Sequence, residues 1–199
     1  MTSLRRSPEK IRLPLGFSFA AVAAGIKVSG RPDLALVEVW GRAPSRACPE
    51  RSRRVQAERS SAAAGGASAA ALFTTNRVVA APVEVGRASL LSTGGRVRAI
   101  VVNSGNANCA TGRAGIQACE RVCHDAGNLF GVPAGEVFPS STGIIGVPLP
   151  VEKIRAKLPE LIASRSASER GVQAFARAIM TTDTRPKIAS VRFRTASKE

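Results

Sequence analysis

The sequence VRAIVVNSGNANCATG, residues 97–112, decides the fold because it joins a short apolar run to a polar loop rich in asparagine. Residues 97–102 are apolar except for Arg98, which is typical of a strand buried inside a sheet. We predict such a strand, followed by a loop from Asn103 onward. A small-residue loop after a buried strand carries backbone N–H groups into a cleft, so this junction is a candidate site.

Further predicted strands lie on both sides of this one. The run LALVEVW, residues 34–40, is a good strand, and ASAAALFTTNR, residues 67–77, is its natural continuation. FTTNRVVAAPVEV, residues 73–85, is interpreted as a strand with a turn, since Pro82 favours an edge or a break. EVFPSS, residues 136–141, is a second short strand, which delivers the glycine loop STGIIGVPLP.

Three segments have the apolar spacing of helices. Residues 113–131 form the first, with Gly131 as its C-terminal stop. A second begins at about Val151, and a third runs from about Ser168, its N-cap, to Met180. The inward positions predicted for the last two helices are Ile154, Leu158, Leu161, Ile162, Val172, Phe175, Ala176 and Ile179. Strands and helices in this order indicate an α/β fold.

The composition fits a folded domain. The chain has 199 residues, of which 44% are hydrophobic and 22% charged, so it can bury a core. It contains no run of about 20 apolar residues, so we expect no membrane span. The apolar part of the N-terminus is broken by Pro14, Gly16 and Gly25, which disfavours a signal peptide. We therefore expect a cytoplasmic protein.

The chain is strongly basic, with 29 Lys and Arg against 14 Asp and Glu. Such a charge is typical of nucleic-acid binders, but one Trp and no Tyr leave few stacking platforms. Six arginines lie in residues 41–66, which lack apolar periodicity. We interpret 41–66 as a disordered arginine-rich insertion. The alternative is a nucleic-acid-binding module that uses this segment.

The cysteines do not predict a metal site. Cys48, Cys109, Cys119 and Cys123 form no C-x-x-C pair, and His124 is the only histidine. Cys119 and Cys123 are one helical turn apart, which favours two thiols on the buried face of a helix. We expect neither a metal nor structural disulfides.

Two short motifs could carry chemistry. In STGIIG, Thr142 and Gly143 could form an oxyanion hole, with the hydroxyl and a backbone N–H as donors, or they could be only a tight turn. In TTDT, residues 181–184, the hydroxyls and Asp183 could hold a small polar substrate, or Asp183 could bond local backbone at a helix end. Neither of the loops VVNSGNANCATG and SSTGIIGVPLP has the spacing of a nucleotide-binding loop. The single histidine, on a helix, argues against a Ser-His-Asp triad.

Several segments in order resemble one enzyme family. They are GFSFAAVAAGIKVSGRPDLALV, ASAAALFTTNRVVAAPV, VRAIVVNSGNANCATG, STGIIGVPLP and AIMTTDTRPK. Together they resemble the α, N-terminal part of the bifunctional ornithine acetyltransferases, also called glutamate N-acetyltransferases, of arginine biosynthesis. The resemblance covers nearly all of the chain except its start, residues 41–66 and the final dozen residues.

The resemblance implies a fold and a reaction. The fold is a layered α/β sandwich of the DmpA/ArgJ-like type, incomplete without the β chain, and residues 1–199 would be the N-terminal part of a single domain. Members cleave themselves before a threonine, which accepts acetyl from N2-acetyl-ornithine and passes it to glutamate in ping-pong fashion. Some also use acetyl-CoA as a substrate, and none of this requires a cofactor. Two α and two β chains would form a heterotetramer.

The family's site residues carry over in part. Thr142 and Gly143 match its oxyanion-hole pair, and Thr181 matches a substrate-binding threonine, with Thr182 kept as a neighbour. The family's M-A-K-G segment and nucleophilic threonine have no counterpart before Glu199, and Thr195 lacks the flanking residues of the cleavage site. We therefore expect this chain alone to be inactive in acetyl transfer.

Overall fold

A four-stranded sheet forms the centre of the fold. The computed structural model describes residues 11–40 and 66–191. The strands of the sheet are β1 (Phe17–Val22), β2 (Leu34–Val39), β5 (Ala99–Asn106) and β6 (Val137–Ile144), in the spatial order β1-β2-β5-β6. β1–β2 and β2–β5 are antiparallel, whereas β5–β6 is parallel. A separate antiparallel pair consists of β3 (Ala67–Ser68) and β4 (Arg96–Val97).

Four α-helices are present in the described part of the chain. They are α1 (Ala81–Ser92), α2 (Gly112–Phe130), α3 (Val151–Ala163) and α4 (Glu169–Ala178), and a short 3₁₀ helix spans Ala134–Glu136. Within the described residues, no helix has the length and apolar character needed to cross a membrane. The predicted α/β class is confirmed.

The sheet separates two apolar clusters of unequal size. The larger one joins strand residues such as Leu34, Leu36 and Val101 to α1, α2 and α3. The smaller one, around Ala35, Val102 and Ala178, brings α4 against the sheet. Since Leu34 and Ala35 are both completely buried, β2 is covered on both faces.

Local signals predicted the helix ends well. The Ser168 hydroxyl accepts the backbone N–H of Gly171 at 3.1 Å, so the predicted N-cap of α4 is confirmed. Gly131 has φ +68° and ends α2 in the left-handed conformation that favours glycine. The apolar face of α3 is buried as predicted. Ile179 is instead 36% exposed, because α4 ends at Ala178 and the chain turns away.

Residues 81–85 are helical, so the strand predicted for 73–85 is wrong. Pro82 lies in the first turn of α1, where its missing N–H costs no helical hydrogen bond. Residues 67–77 do not continue β2 either, because Ala67 pairs with Val97. Except for Gly66, the predicted insertion at 41–66 lies outside the described residues.

The parallel strands β5 and β6 are both longer than the sequence predicts. β5 runs through the polar residues Asn103–Asn106, and β6 runs to Ile144. Thr142 and Gly143 therefore lie in a strand, not in the loop after it. The reason is that Asn103, Ser104 and Asn106 are buried and satisfy their side chains with hydrogen bonds to other residues.

The predicted burial of Cys119 and Cys123 is confirmed. Their thiols face the main core from consecutive turns of α2. The hydrogen bond between them and the burial of Cys119 raise the pKa of the Cys119 thiol far above its ordinary value. Cys119 is therefore a protonated core residue and a poor nucleophile.

Candidate active site

The candidate site begins where β5 and β6 end side by side. Ser104 pairs with Thr142 and Gly105 with Gly143, and the register then shifts at Asn106. Such an irregularity bends a strand and leaves one residue of the ladder unpaired. The polar ends of two parallel strands therefore meet at one edge of the sheet.

Gly143 allows these strand ends to approach closely. Its φ is +135°, and a Cβ built there would lie 2.3 Å from the carbonyl carbon of Gly105. Both the conformation and the space thus require glycine. The result is a backbone segment without side-chain bulk, immediately after Thr142.

Asn106 fixes the loop that follows β6. Its side-chain amide donates to the carbonyl oxygens of Val147 and Pro148, at 3.0 and 3.1 Å. Its side-chain oxygen accepts the backbone N–H of Asn108 at 2.7 Å. The backbone N–H of Ala107 also donates to Ile144 O. The Asn106 amide and the Ala107 backbone N–H together tie the end of β5 to the loop and to the end of β6.

The side chains beside Thr142 are already paired. The Ser141 hydroxyl donates to the side-chain oxygen of Asn103 at 2.5 Å, and the Asn103 amide donates to the carbonyl of Asn106. Thr142 is half-buried, and its hydroxyl has no hydrogen-bond partner among residues 11–40 and 66–191. Its hydroxyl is thus available to a ligand, while its neighbour Ser141 is held in place.

The end of α4 is attached to the same strands. Ala178 O accepts two hydrogen bonds, from the Ser104 hydroxyl at 2.5 Å and from the Lys27 ammonium at 2.9 Å. Ser104 is the register partner of Thr142, and Thr181 follows Ala178 by three residues. These contacts bring the STG and TTDT motifs to the same end of the sheet.

Asp33 holds Lys27 in position. Its buried carboxylate accepts the backbone N–H groups of Ala24, Ile26 and Lys27, at 2.6 to 2.8 Å. Its carbonyl oxygen accepts the backbone N–H of Ser104. The Asp33 carboxylate thus shapes the turn after β1, and its backbone carbonyl attaches this turn to β5.

Thr181 borders an open cavity of about 350 Å³. The other residues at its border include Lys27, Arg31, Arg177 and Asp183. Burial and the nearby charge of Arg31 lower the pKa of Lys27, and the opposing attraction of Asp33 does not restore it. With Lys27, Arg31 and Arg177 against the single carboxylate of Asp183, the border of the cavity is cationic.

All four TTDT residues are exposed. Thr182 is not among the residues that border this cavity. The Asp183 carboxylate accepts the Lys187 ammonium at 2.5 Å, so its local partner is a side chain and not the predicted backbone. In the described part of the chain, no group of His, Cys, Asp and Glu is suited to hold a metal ion.

Sequence reasoning missed Ser104, Lys27 and Asp33 as parts of this site. Two of them have a local signal in the sequence. Ser104 lies in the NSGNAN motif, and Asp33 directly precedes a predicted strand. Lys27 has no comparable local signal, because its ammonium donates to Ala178 O, 151 positions away in the sequence.

The chain matches a family model and named relatives. The model of the ArgJ family matches residues 60–199. The chain is 45% identical over 184 residues to an arginine biosynthesis bifunctional protein ArgJ of Thermus thermophilus, covering 90% of this chain and 39% of that protein. A protein of the same name from Chlorobaculum tepidum is 42% identical over 178 residues, covering 89% and 37%. The chain thus spans about two fifths of the length of these relatives.

Two solved structures resemble the fold. An ornithine acetyltransferase of Mycobacterium tuberculosis, in complex with ornithine, has a TM-score of 0.71 and 36% identity, covering 87% of this chain and 79% of that chain. An arginine biosynthesis bifunctional protein of Bacillus halodurans has a TM-score of 0.68 and 31% identity, covering 85% and 74%. The predicted fold type is confirmed. None of these four proteins is named as a nucleic-acid binder, so that alternative has no support.

Proposed function

The chain belongs to the ArgJ family, and from this membership we propose that it is part of an acetyltransferase of arginine biosynthesis. The reaction moves acetyl from N2-acetyl-ornithine to glutamate. One observation carries the assignment to this site. Thr142 is half-buried, its hydroxyl has no hydrogen-bond partner among the described residues, and it is followed by Gly143, at which the contact with Gly105 leaves room only for glycine. Acetyl-CoA is a further acetyl donor, and no cofactor is required.

Thr142 and Gly143 stabilise the charge that develops on the acetyl oxygen. A threonine hydroxyl from the β chain attacks the acetyl carbonyl, and the carbonyl oxygen becomes an oxyanion. The Thr142 hydroxyl and the Gly143 N–H donate to it. When the intermediate collapses, the C–N bond breaks, ornithine leaves with a proton on its amine, and acetyl remains on the threonine. The glutamate amine then attacks this ester and releases the threonine hydroxyl.

Preorganisation is the main support for this role. An oxyanion hole works because its donors are already fixed when charge develops. Asn106 ties the loop after β6, and Asn103 ties Ser141, so the segment around Thr142 is held from both sides. The register shift at Asn106 interrupts the ladder beside Gly143, which favours a Gly143 N–H that makes no hydrogen bond to β5.

Thr181 contributes a hydroxyl to the substrate site. It borders the cationic cavity, and the hydrogen bonds to Ala178 O fix the helix end that precedes it. Thr182 is an exposed neighbour and a second candidate for substrate contact.

A β chain covers this edge of the sheet. Ile144 and Ile145 are 62% and 64% exposed, directly beyond Gly143. Neighbouring exposed apolar side chains at a site suggest a partner surface. We assign this surface to the β chain of the same precursor, in a heterotetramer of two α and two β chains in the cytoplasm.

A chimera tests the function. Residues 11–191 replace the matching segment of the M. tuberculosis ornithine acetyltransferase, and the chimera is assayed for transfer of acetyl from N2-acetyl-ornithine to glutamate. We expect turnover with ping-pong kinetics. A chimera that folds but shows no transfer, beside an active unaltered parent enzyme, would argue against the proposed function. The 199-residue chain assayed alone should show no transfer.

A further inference from the structure

The border of the cavity at Thr181 carries an excess of positive charge. Lys27, Arg31 and Arg177 face it with three cationic groups, against the single carboxylate of Asp183. That carboxylate is already engaged by Lys187. The cavity border therefore keeps a net positive charge, although the buried Asp33 carboxylate also attracts Lys27.

The two arginines are available to a ligand. Both side chains are exposed, and neither guanidinium has a hydrogen-bond or ion-pair partner within residues 11–40 and 66–191. A guanidinium presents parallel N–H donors that match the two oxygens of a carboxylate. The two arginines lie on separate elements, Arg31 in the turn before β2 and Arg177 in the last turn of α4.

Lys27 provides a third donor at a fixed position. Its ammonium donates to Pro32 O at 3.1 Å and to Ala178 O at 2.9 Å, which leaves one of its three N–H groups. Partial burial and the charge of Arg31 lower the pKa of Lys27. An anion in the cavity would offset both effects, because it stabilises the charged form of the lysine.

We propose that this cavity binds a carboxylate group of the amino-acid substrate, held by Arg31, Arg177 and the remaining N–H of Lys27. The assignment rests on the proposed function, in which donor and acceptor are both amino acids. Thr181 then contacts the same substrate molecule. A volume of about 350 Å³ is at the small end of ligand pockets, which suits one amino acid better than a nucleotide-sized ligand.

The position of Gly105 connects this cavity to the oxyanion hole. A Cβ on Gly105 would lie 3.0 Å from Cγ of Lys27, and a Cβ on Gly143 would lie 2.3 Å from the carbonyl carbon of Gly105. The lysine stem and the strand at Gly143 thus both pack against Gly105. Lys27 and the candidate oxyanion hole therefore have Gly105 as a common neighbour.

Titrations of the 199-residue chain test the proposal. Glutamate, ornithine and inorganic phosphate are added separately at constant ionic strength, and the backbone amide NMR shifts are followed. We expect saturable shifts at Lys27, Arg31 and Thr181 with both amino acids, and weaker binding of phosphate. Arg31→Gln with Arg177→Gln should weaken amino-acid binding by about tenfold or more, since both charged donors are lost.

The control is the double variant Arg113→Gln with Arg170→Gln. These two exposed arginines do not border the cavity, and the charge removed is the same. The control should bind as the parent chain does. An equal loss in the control, absence of saturable shifts, or tighter binding of phosphate would each overturn the proposal. These results do not depend on acetyl transfer, so an inactive chimera with intact binding would count against the proposed function only.

Discussion

The Ser104 hydroxyl donates a 2.5 Å hydrogen bond to the carbonyl oxygen of Ala178. This bond joins the strand beside Thr142 to the helix end that leads to Thr181, across 74 positions of sequence. The two motifs are thereby held at the same end of the sheet. The distance between the two halves of the candidate site therefore depends on a few buried hydrogen bonds.

Replacing Ser104 with alanine should weaken this attachment. Ala178 O keeps its bond from Lys27, so we expect a loss of about 1 kcal/mol in the free energy of unfolding, measured in urea. In the active chimera, KM for N2-acetyl-ornithine should rise, since the segment before Thr181 is less constrained. Ser92→Ala, which removes a hydroxyl bond within α1, is the control and should leave KM unchanged. An unchanged KM in Ser104→Ala would contradict this linkage.

Gly143 should tolerate no side chain. Gly143→Ala places a Cβ against the backbone of Gly105 and Asn106, and φ is also unfavourable, so we expect a loss of several kcal/mol. Gly146→Ala is the matched control, because its φ is +80° but nothing lies within 4 Å of its Cβ. The control should lose only about 1–2 kcal/mol. Similar thermal midpoints for the two variants would show that the close strand contact is absent.

Removing residues 41–65 should preserve the fold. The backbone N–H of Val39 donates to Arg98 O, and Ala67 pairs with Val97. The two flanks of the segment are therefore held close together by the neighbouring residues Val97 and Arg98. Replacing it with a linker of roughly a quarter of its length should stabilise the chain by about 1 kcal/mol through loop closure. Thermal unfolding measures this. A loss of cooperative unfolding would show that the segment contributes to the core.

The thiol of Cys119 should make stability fall in alkaline solution. Its pKa is raised in the folded state, so the folded chain keeps a proton that the unfolded chain releases above about pH 9. The contribution of this thiol to the free energy of unfolding is complete below about pH 9 and is lost as the pH rises above that value. Cys119→Ala should show a flatter decline above pH 9 in urea unfolding. Identical slopes would contradict the assignment.

Local signals predicted the elements better than the contacts between them. Ser168 and Gly131 were predicted correctly because caps depend on a few neighbouring residues. The strand predicted at 73–85 failed because β-branched residues near Pro82 favour a strand, whereas packing of α1 against the core overrides that preference.

The candidate site was predicted in part. Thr142, Gly143 and Thr181 lie in quoted motifs, yet their common location depends on Ser104, Lys27 and Asp33. Lys27 and Ser104 both donate to Ala178 O, which is 151 positions from Lys27 in the sequence. No periodicity or spacing predicts a contact between residues so far apart. The extension of β5 through Asn106 was missed for the same reason, because its polar residues are satisfied by tertiary contacts.

The central claim is that Thr142 stabilises the oxyanion of acetyl transfer. It is tested most directly by kcat of the chimera carrying Thr142→Ala, with Thr142→Ser as the variant that keeps the hydroxyl. We predict a fall in kcat of about 100- to 1,000-fold for alanine, with little change in KM if acetylation limits the rate, and substantial recovery for serine. The thermal midpoint should be the same for both. A kcat of Thr142→Ala within a few-fold of the unaltered chimera, with a lowered thermal midpoint, would contradict the claim and leave Thr142 as part of a tight turn.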